Sequence, residues 1–124
     1  MLDIAFYSQD KEEAEVIEVS TDFYEWLAHS EFARIGKSEL KKMKIDGEAV
    51  EVPVIKLEGI NRRQLSDFFR NAIVEESDAI LDRLSNSLSN LSKDKYQDIT
   101  YRLCLLQQLR KQIENEEYKY IQRF

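Results

Sequence analysis

Three side chains with metal-binding atoms lie close together in the first quarter of the sequence: Asp22, Glu25 and His29. Separations of three and four residues place them on one face of a helix, where they could bind a divalent cation. Asp22 and Glu25 also form a capping-box pattern at a helix start, which explains both carboxylates without a metal. We therefore predict neither a metal site nor a cofactor.

A second acidic group, Glu75, Glu76, Asp78 and Asp82, lies in a segment with helical periodicity. Neighbouring carboxylates with different pKa values can act as general acid and general base, but on a charged helix they more commonly contact solvent or bases. The sequence has no glycine-rich phosphate loop, no nucleophile elbow and no zinc-spaced Cys/His set. We predict a protein that is not an enzyme. The alternative is a pocket lined by carboxylates and His29.

The single cysteine, Cys104, lies among the leucines at positions 103, 105 and 106. Free cysteines are among the most frequently buried residues, so we expect Cys104 to be a small buried hydrophobic residue. A catalytic thiol would need an activating base, and no pattern places the one histidine beside it.

A run of basic residues in the first half could contact phosphate groups. It comprises Arg34, Lys37, Lys41, Lys42 and Lys44. Glu39 interrupts the run, and the protein has a net charge of −6. We therefore expect no nucleic-acid binding, and we assign these bases to a solvated surface.

Negative charge is concentrated in residues 1–31, which contain nine acids and one lysine and so have a net charge of −8. Residues 32–124 carry +2 of the overall −6. Such a field attracts basic proteins and repels nucleic acids. We predict that carboxylates of this segment bind the partner and that two aromatic residues act as anchors. These residues are Asp10, Glu12, Glu13, Glu15, Glu18, Tyr24 and Trp26.

The first third of the sequence predicts two strands and a helix. Residues 2–7 and 14–19 have the composition of half-buried strands and are separated by a polar turn, which favours an antiparallel hairpin. Ser20, Thr21 and Asp22 form a helix N-cap cluster, and we expect the helix to end near Ile35.

The middle of the sequence contains a further predicted strand at residues 50–57. Pro53 cannot donate a ladder hydrogen bond, so we expect this strand at a sheet edge or at a bulge. Residues 38–45 fit either a short helix or a strand.

The second half of the sequence has the periodicity of two long helices. Apolar residues recur at spacings of three and four from Asn61 to Leu91, and again from Ser92 to Phe124. Two such helices joined by a short loop form an antiparallel hairpin.

Acids and bases within the apolar stripes of these helices predict ion pairs across the hairpin. With a chain reversal near Ser92, we expect Asp82 to pair with Arg102 and Glu76 to pair with Arg110. A partly buried acid left without its cation would cost about 3–5 kcal/mol.

These elements predict one α+β domain over residues 1–124. Residues 1–60 form the β-rich part, a small and mainly antiparallel sheet with one helix, and residues 61–124 form the helical hairpin. No apolar stretch approaches the roughly 20 residues of a membrane span. The first residues lack the basic region of a signal peptide, so we expect a cytoplasmic protein.

The opening Met1-Leu2-Asp3-Ile4-Ala5-Phe6-Tyr7, the polar gap, Val16-Ile17-Glu18-Val19-Ser20 and the aromatic helix together resemble small bacterial toxin-immunity proteins. The resemblance covers about the first 30 residues. It implies an acidic, non-catalytic protein that binds a cognate toxin and blocks the toxin's active site.

Two function hypotheses follow from these patterns. The first is an immunity-type inhibitor whose acidic N-terminal surface binds a basic toxin or nuclease. The second is a homo-oligomeric assembly protein that associates through the C-terminal hairpin. Its apolar stripe would continue through Tyr118, Tyr120, Ile121 and Phe124.

Overall fold

The computed structural model describes residues 2–8, 14–45, 47–87 and 93–123. The elements are β1 (Leu2–Ser8), β2 (Glu15–Val19), α1 (Thr21–Ala28), a 3₁₀ helix (Glu31–Arg34), β3 (Glu39–Ile45), β4 (Glu48–Lys56), α2 (Gly59–Ser87), α3 (Lys93–Glu114) and β5 (Tyr118–Gln122). The protein is therefore α+β, and the predicted first hairpin and the two long helices are confirmed.

The strands form one antiparallel sheet in the order β2-β1-β5-β4-β3. Two N-terminal hairpins, β1–β2 and β3–β4, supply four of its strands. The last strand of the sequence, β5, pairs with β1 on one side and with β4 on the other. Within the described residues, the backbones of the two hairpins are therefore joined through β5.

The strand β5 corrects the prediction that the second long helix continues to Phe124. Helix α3 ends at Glu114, where Asn115 forms a turn by accepting a hydrogen bond from the Glu117 amide at 3.0 Å. Local asparagine bonds of this kind compete with helical ones. Tyr118, Tyr120 and Ile121 lie in the sheet and cannot extend an apolar stripe of the hairpin. Phe124 lies outside the described residues.

The main core lies between one face of the sheet and the helices. Alternate strand residues contribute to it, including Ile4 and Phe6 of β1 and Ile121 of β5, all fully buried. A second, smaller cluster of Ala5, Tyr7, Val52 and Val54 lies on the opposite face. The helices thus cover one face of the sheet and leave the other to the strands' own side chains.

Strand β4 is an interior strand, which corrects the expected edge position of residues 50–57. Pro53 is nevertheless tolerated, because β5 pairs with β4 only at Ile55 and Lys56. At Pro53 itself the ladder partner is Leu40 of β3. Proline there removes no hydrogen bond to β5. Residues 38–45, which the sequence left ambiguous, form most of β3.

Helix α1 is shorter than predicted and ends at Ala28 rather than near Ile35. Ser20 caps its start by accepting a hydrogen bond from the Phe23 amide at 3.3 Å. Ser30 then caps the 3₁₀ helix and accepts from the Phe32 amide. This second cap ends the α-helical run and turns fully buried Phe32 into the core.

The side chain of Arg62 joins three elements where they approach one another. It donates hydrogen bonds to the carbonyl oxygens of Leu57, Ile113, Asn115 and Tyr118 at 2.5, 2.6, 2.9 and 2.6 Å. These carbonyls mark the end of β4, the end of α3 and the start of β5. Burial lowers the pKa of Arg62 from its ordinary value.

Arg123 follows β5 and is buried. It donates to the carbonyl oxygens of Phe32 and Gly36 and lies over the Phe32 ring, 5.4 Å from its centroid. Loss of solvation lowers the pKa of its guanidinium to about 10. This contact ties the end of the chain to the segment between the 3₁₀ helix and β3.

The predicted ion pairs across the hairpin are wrong in their partners. Arg102 pairs with Glu76 rather than Asp82, with 3.7 Å between Nε and Oε2, and Arg110 pairs with Glu114 at 2.5 Å rather than with Glu76. Helix α2 ends at Ser87 and α3 begins at Lys93. The two helices pair in a register shifted by a few residues from the expected one, because Glu76 rather than Asp82 lies beside Arg102, and Asp82 lies exposed.

The carboxylate of Glu114 binds three side chains of the helical hairpin. Its carboxylate accepts hydrogen bonds from Ser66 at 2.9 Å, from Arg70 at 2.5 Å and from Arg110 at 2.5 Å. Burial raises its pKa, but these hydrogen bonds and positive charges outweigh burial and lower it overall. The end of α3 is thereby fixed to the start of α2.

No helix in the described ranges combines the length and the apolar content that a membrane span requires.

Candidate functional site

Strand β2 forms one border of the sheet, and acidic side chains surround it. We call the exposed residues Asp3, Glu15, Glu18, Asp22 and Glu25 the acidic border. Asp3 lies in β1, the next two lie in β2, and the last two lie in α1. Only Ser20 separates β2 from α1, so Asp22 and Glu25 follow β2 directly in the chain. Side-chain alternation along β2 directs Glu15 and Glu18 to opposite faces of the sheet.

Within the acidic border, Asp3 and Glu18 are direct cross-strand partners. Side chains of directly opposed residues lie on the same face of a sheet, with Cβ atoms about 5 Å apart. Two negative charges in this arrangement are destabilising, on the order of a few tenths of a kcal/mol at an exposed site. The fold therefore retains an unfavourable charge pair at its border.

The bases of the described ranges do not neutralise the acidic border. Across the described ranges, none of its five carboxylates has a lysine or arginine nitrogen within 4 Å, whereas nearby Glu31 pairs with Arg34 at 3.3 Å. The predicted binding residues Glu15 and Glu18 belong to this border. Asp10, Glu12 and Glu13, predicted with them, lie outside the described residues.

The predicted aromatic anchors are half-buried in α1. Trp26 lies against Phe23 and Phe68, with ring centroids 5.6 and 5.9 Å away, and against the guanidinium of Arg102, which lies 4.6 Å above its ring. Burial raises the pKa of Tyr24. Trp26 therefore packs α1 onto the helical hairpin, and only part of its surface remains for a partner.

Arg102 is a residue whose role the sequence analysis missed. Its guanidinium lies over two rings of α1, Trp26 at 4.6 Å and Phe23 at 5.7 Å, while Glu76 lies at ion-pair distance. The Nε atom is buried without a hydrogen-bond acceptor, since 3.7 Å exceeds hydrogen-bond length. Ring contacts of this kind depend on tertiary packing and leave no spacing signal in the sequence.

The opposite edge of the sheet, β3, has the opposite charge. Its lysines at positions 41, 42 and 44 outnumber its one acid, Glu39. Lys41 donates to the Tyr120 hydroxyl at 2.8 Å and lies over the Tyr120 ring, and this hydrogen bond is the main cause that raises the pKa of Lys41. The sheet is thus acidic at β2 and basic at β3.

A groove of about 450 Å³ lies between α2 and α3. It is lined by Ile73, Ser77, Leu103, Cys104, Gln107 and Gln108. Cys104 is exposed there, which corrects the expectation that it is buried. The helix turns Leu105 and Leu106 into the core and leaves Cys104 on the other side, which a local run of leucines does not reveal.

The metal site that Asp22, Glu25 and His29 could form falls within the described ranges. No group of three or more His, Cys, Asp or Glu side chains in these ranges could hold a metal ion. Asp22, Glu25 and His29 are exposed on α1 and its C-cap. Comparison of the chain with protein-family models, curated proteins and solved structures gave no match.

Proposed function

We propose that the protein is a binding module that uses its acidic border to bind a basic protein, in the manner of an immunity-type inhibitor. One observation carries this proposal: five carboxylates of β1, β2 and α1 are exposed, and none has a basic neighbour within 4 Å in the described part of the chain. A basic partner would relieve the repulsion between Asp3 and Glu18.

The mechanism is electrostatic at first and steric at the end. Clustered carboxylates accelerate the encounter with a positively charged surface and orient it. A nuclease-type toxin presents such a surface, because its cleft attracts phosphate. A protein seated over that cleft excludes the substrate, and no covalent chemistry is needed.

The test compares two charge reversals of equal size. Glu15→Lys combined with Glu18→Lys changes the acidic border. The matched control, Glu75→Lys combined with Asp78→Lys, changes two exposed acids of α2. With a captured and purified partner, we expect the border variant to lose at least about tenfold in affinity at low salt. The control should bind as the wild type does. Equal affinities of the two variants would contradict the proposal.

The inhibitor role has its own test. The gene immediately upstream of this one is expressed with the wild type or with the border variant, and cell growth is measured. We expect the wild type to protect cells from a toxic product and the border variant to fail. A harmless neighbouring product would contradict the inhibitor role while leaving protein binding intact. Neutralisation by both proteins would contradict the role of the acidic border.

A second candidate function is self-association through the helical hairpin. The groove between α2 and α3 favours it, because Val74 and Leu81 on the same hairpin are 59% and 60% exposed. Light scattering over a range of concentrations tests it with the variant Val74→Glu, Leu81→Glu. A wild type that remains monomeric throughout excludes this function.

A further inference from the structure

The outer backbone edge of strand β2 has no partner strand in the described part of the chain. The strand pairs with β1 on one side, and within the described ranges no backbone hydrogen bond joins Glu15–Val19 to any other segment. Among the described residues, nothing therefore pairs with the amide and carbonyl groups on its outer side. An edge strand in this state is a template for a strand from another chain.

The charges around β2 restrict which strand can pair with it. A second copy of β2 would bring its own Glu15 and Glu18 close to those already present, which disfavours self-pairing. The opposite edge, β3, carries lysines, and lysine is a common protection against edge-to-edge association. The charges along the β2 edge therefore disfavour pairing with a second copy of β2 and favour pairing with a positively charged strand.

We propose that an extended, lysine- or arginine-bearing segment of the partner pairs with β2 and adds a sixth strand to the sheet. This inference rests on the proposed function and specifies how the basic partner is bound. Backbone hydrogen bonds along β2 would supply affinity, and side chains of the acidic border would supply selectivity.

The arrangement of side chains on β2 also predicts the pattern of the incoming segment. Val16 and Glu18 point to the face of the sheet that the helices do not cover, as do their β1 partners Ala5 and Asp3. Val16 is 47% exposed and offers an apolar contact. The bound segment should therefore carry an apolar residue and a basic residue two positions apart.

Synthetic peptides test this inference on the full-length protein. The probe is the capped peptide Lys-Thr-Val-Thr-Lys-Thr-Val-Thr, compared with the same sequence in which glutamate replaces lysine. A third peptide keeps the lysines but is N-methylated at its central residues, which removes ladder donors without changing charge. We expect N-methylation to weaken binding by roughly threefold to tenfold for each hydrogen bond lost.

Amide hydrogen exchange identifies the bound edge. With the lysine peptide, we expect exchange to slow at alternate amides of Glu15–Val19 and to remain unchanged at the β3 edge. The N-methylated peptide should give no such protection. Protection at other elements, or equal binding of the methylated and unmethylated peptides, would overturn strand addition.

The same experiment separates this inference from the proposed function. If both lysine peptides bind equally and the glutamate peptide does not, the acidic border recognises charge and strand addition is wrong. If all three peptides bind equally or fail to bind, both proposals fail. Self-association through β2, seen as a rise in mass with concentration that the lysine peptide does not reverse, would also overturn the inference.

Discussion

Three charged side chains of the C-terminal half, Arg62, Glu114 and Arg123, have partners inside the fold, whereas the carboxylates of the acidic border have no basic partner in the described part of the chain. Arg62 and Arg123 bind backbone carbonyls, and Glu114 binds three side chains. Asp3 and Glu18 instead lie opposite each other with like charge. The comparison teaches that the partnered charges of the C-terminal half stabilise the fold, whereas the like charges of Asp3 and Glu18 destabilise it. Removing charge should therefore have opposite effects in the two regions.

The largest effect is expected for Arg62→Met. This variant leaves four carbonyl oxygens at the ends of β4 and α3 and the start of β5 without their donor. We expect a loss of about 3–5 kcal/mol in the free energy of unfolding, measured in urea. Arg63→Met, at an exposed neighbouring position, is the control and should change stability by less than about 0.5 kcal/mol. Similar losses in both variants would contradict the role of Arg62.

The next effect is expected for Arg102→Leu, which removes the cation from the rings of Trp26 and Phe23. We expect a loss of about 1–2 kcal/mol in the free energy of unfolding. We also expect a shift in the fluorescence of Trp26, the only tryptophan. Arg83→Leu, an exposed change on α2, should leave the emission unaltered. An unchanged emission spectrum for Arg102→Leu would show that the Arg102 guanidinium does not contact Trp26.

A smaller effect is expected for Glu114→Gln, and it lies in the pH dependence of the free energy of unfolding. The folded state lowers the pKa of Glu114 below its ordinary value of 4.5. The carboxylate therefore contributes stability that is fully present above that value and is lost as pH falls through the folded pKa. We expect the stability difference between wild type and Glu114→Gln to be constant near neutral pH and to shrink below about pH 4.5. A stability difference that grows on acidification would show that the folded state raises the pKa of Glu114 instead of lowering it.

The smallest effect has the opposite sign. Glu18→Gln should stabilise the protein by a few tenths of a kcal/mol at low salt, because it removes repulsion from Asp3. The gain should vanish in high salt, and adding Asp3→Asn should give little more, since the repulsion is already gone. Destabilisation by Glu18→Gln would show that the acidic border serves the fold, and the contrast between the two regions would no longer hold.

Local patterns were sufficient for most of the elements. The alternation of β1 and β2, the serine cap of α1 and the long apolar periodicities of α2 and α3 are all readable over short windows. The ion pairs of the hairpin were harder, because their partners depend on where the chain reverses. A shift of a few residues in the register between α2 and α3 moved Arg102 from Asp82 to Glu76.

The candidate site was only partly accessible to sequence reasoning. The concentration of acids in residues 1–31 was evident, and Glu15 and Glu18 were named from it. Which acids lie opposite each other, and which find a base, depends on strand register and on elements distant in sequence. Asp3 was counted among the acids but gained its significance only from its pairing with Glu18.

The sequence by itself determined the α+β class, the two long helices and the uneven charge, because composition and periodicity are local properties. Only the tertiary structure decided that residues 118–122 form the central strand of the sheet, since a five-residue apolar pattern fits either a helix end or a strand. The hydrogen-bonding edges of β1 and β4 select the strand. That choice leaves β2 at the border, with its acids exposed and its outer backbone edge free within the described chain.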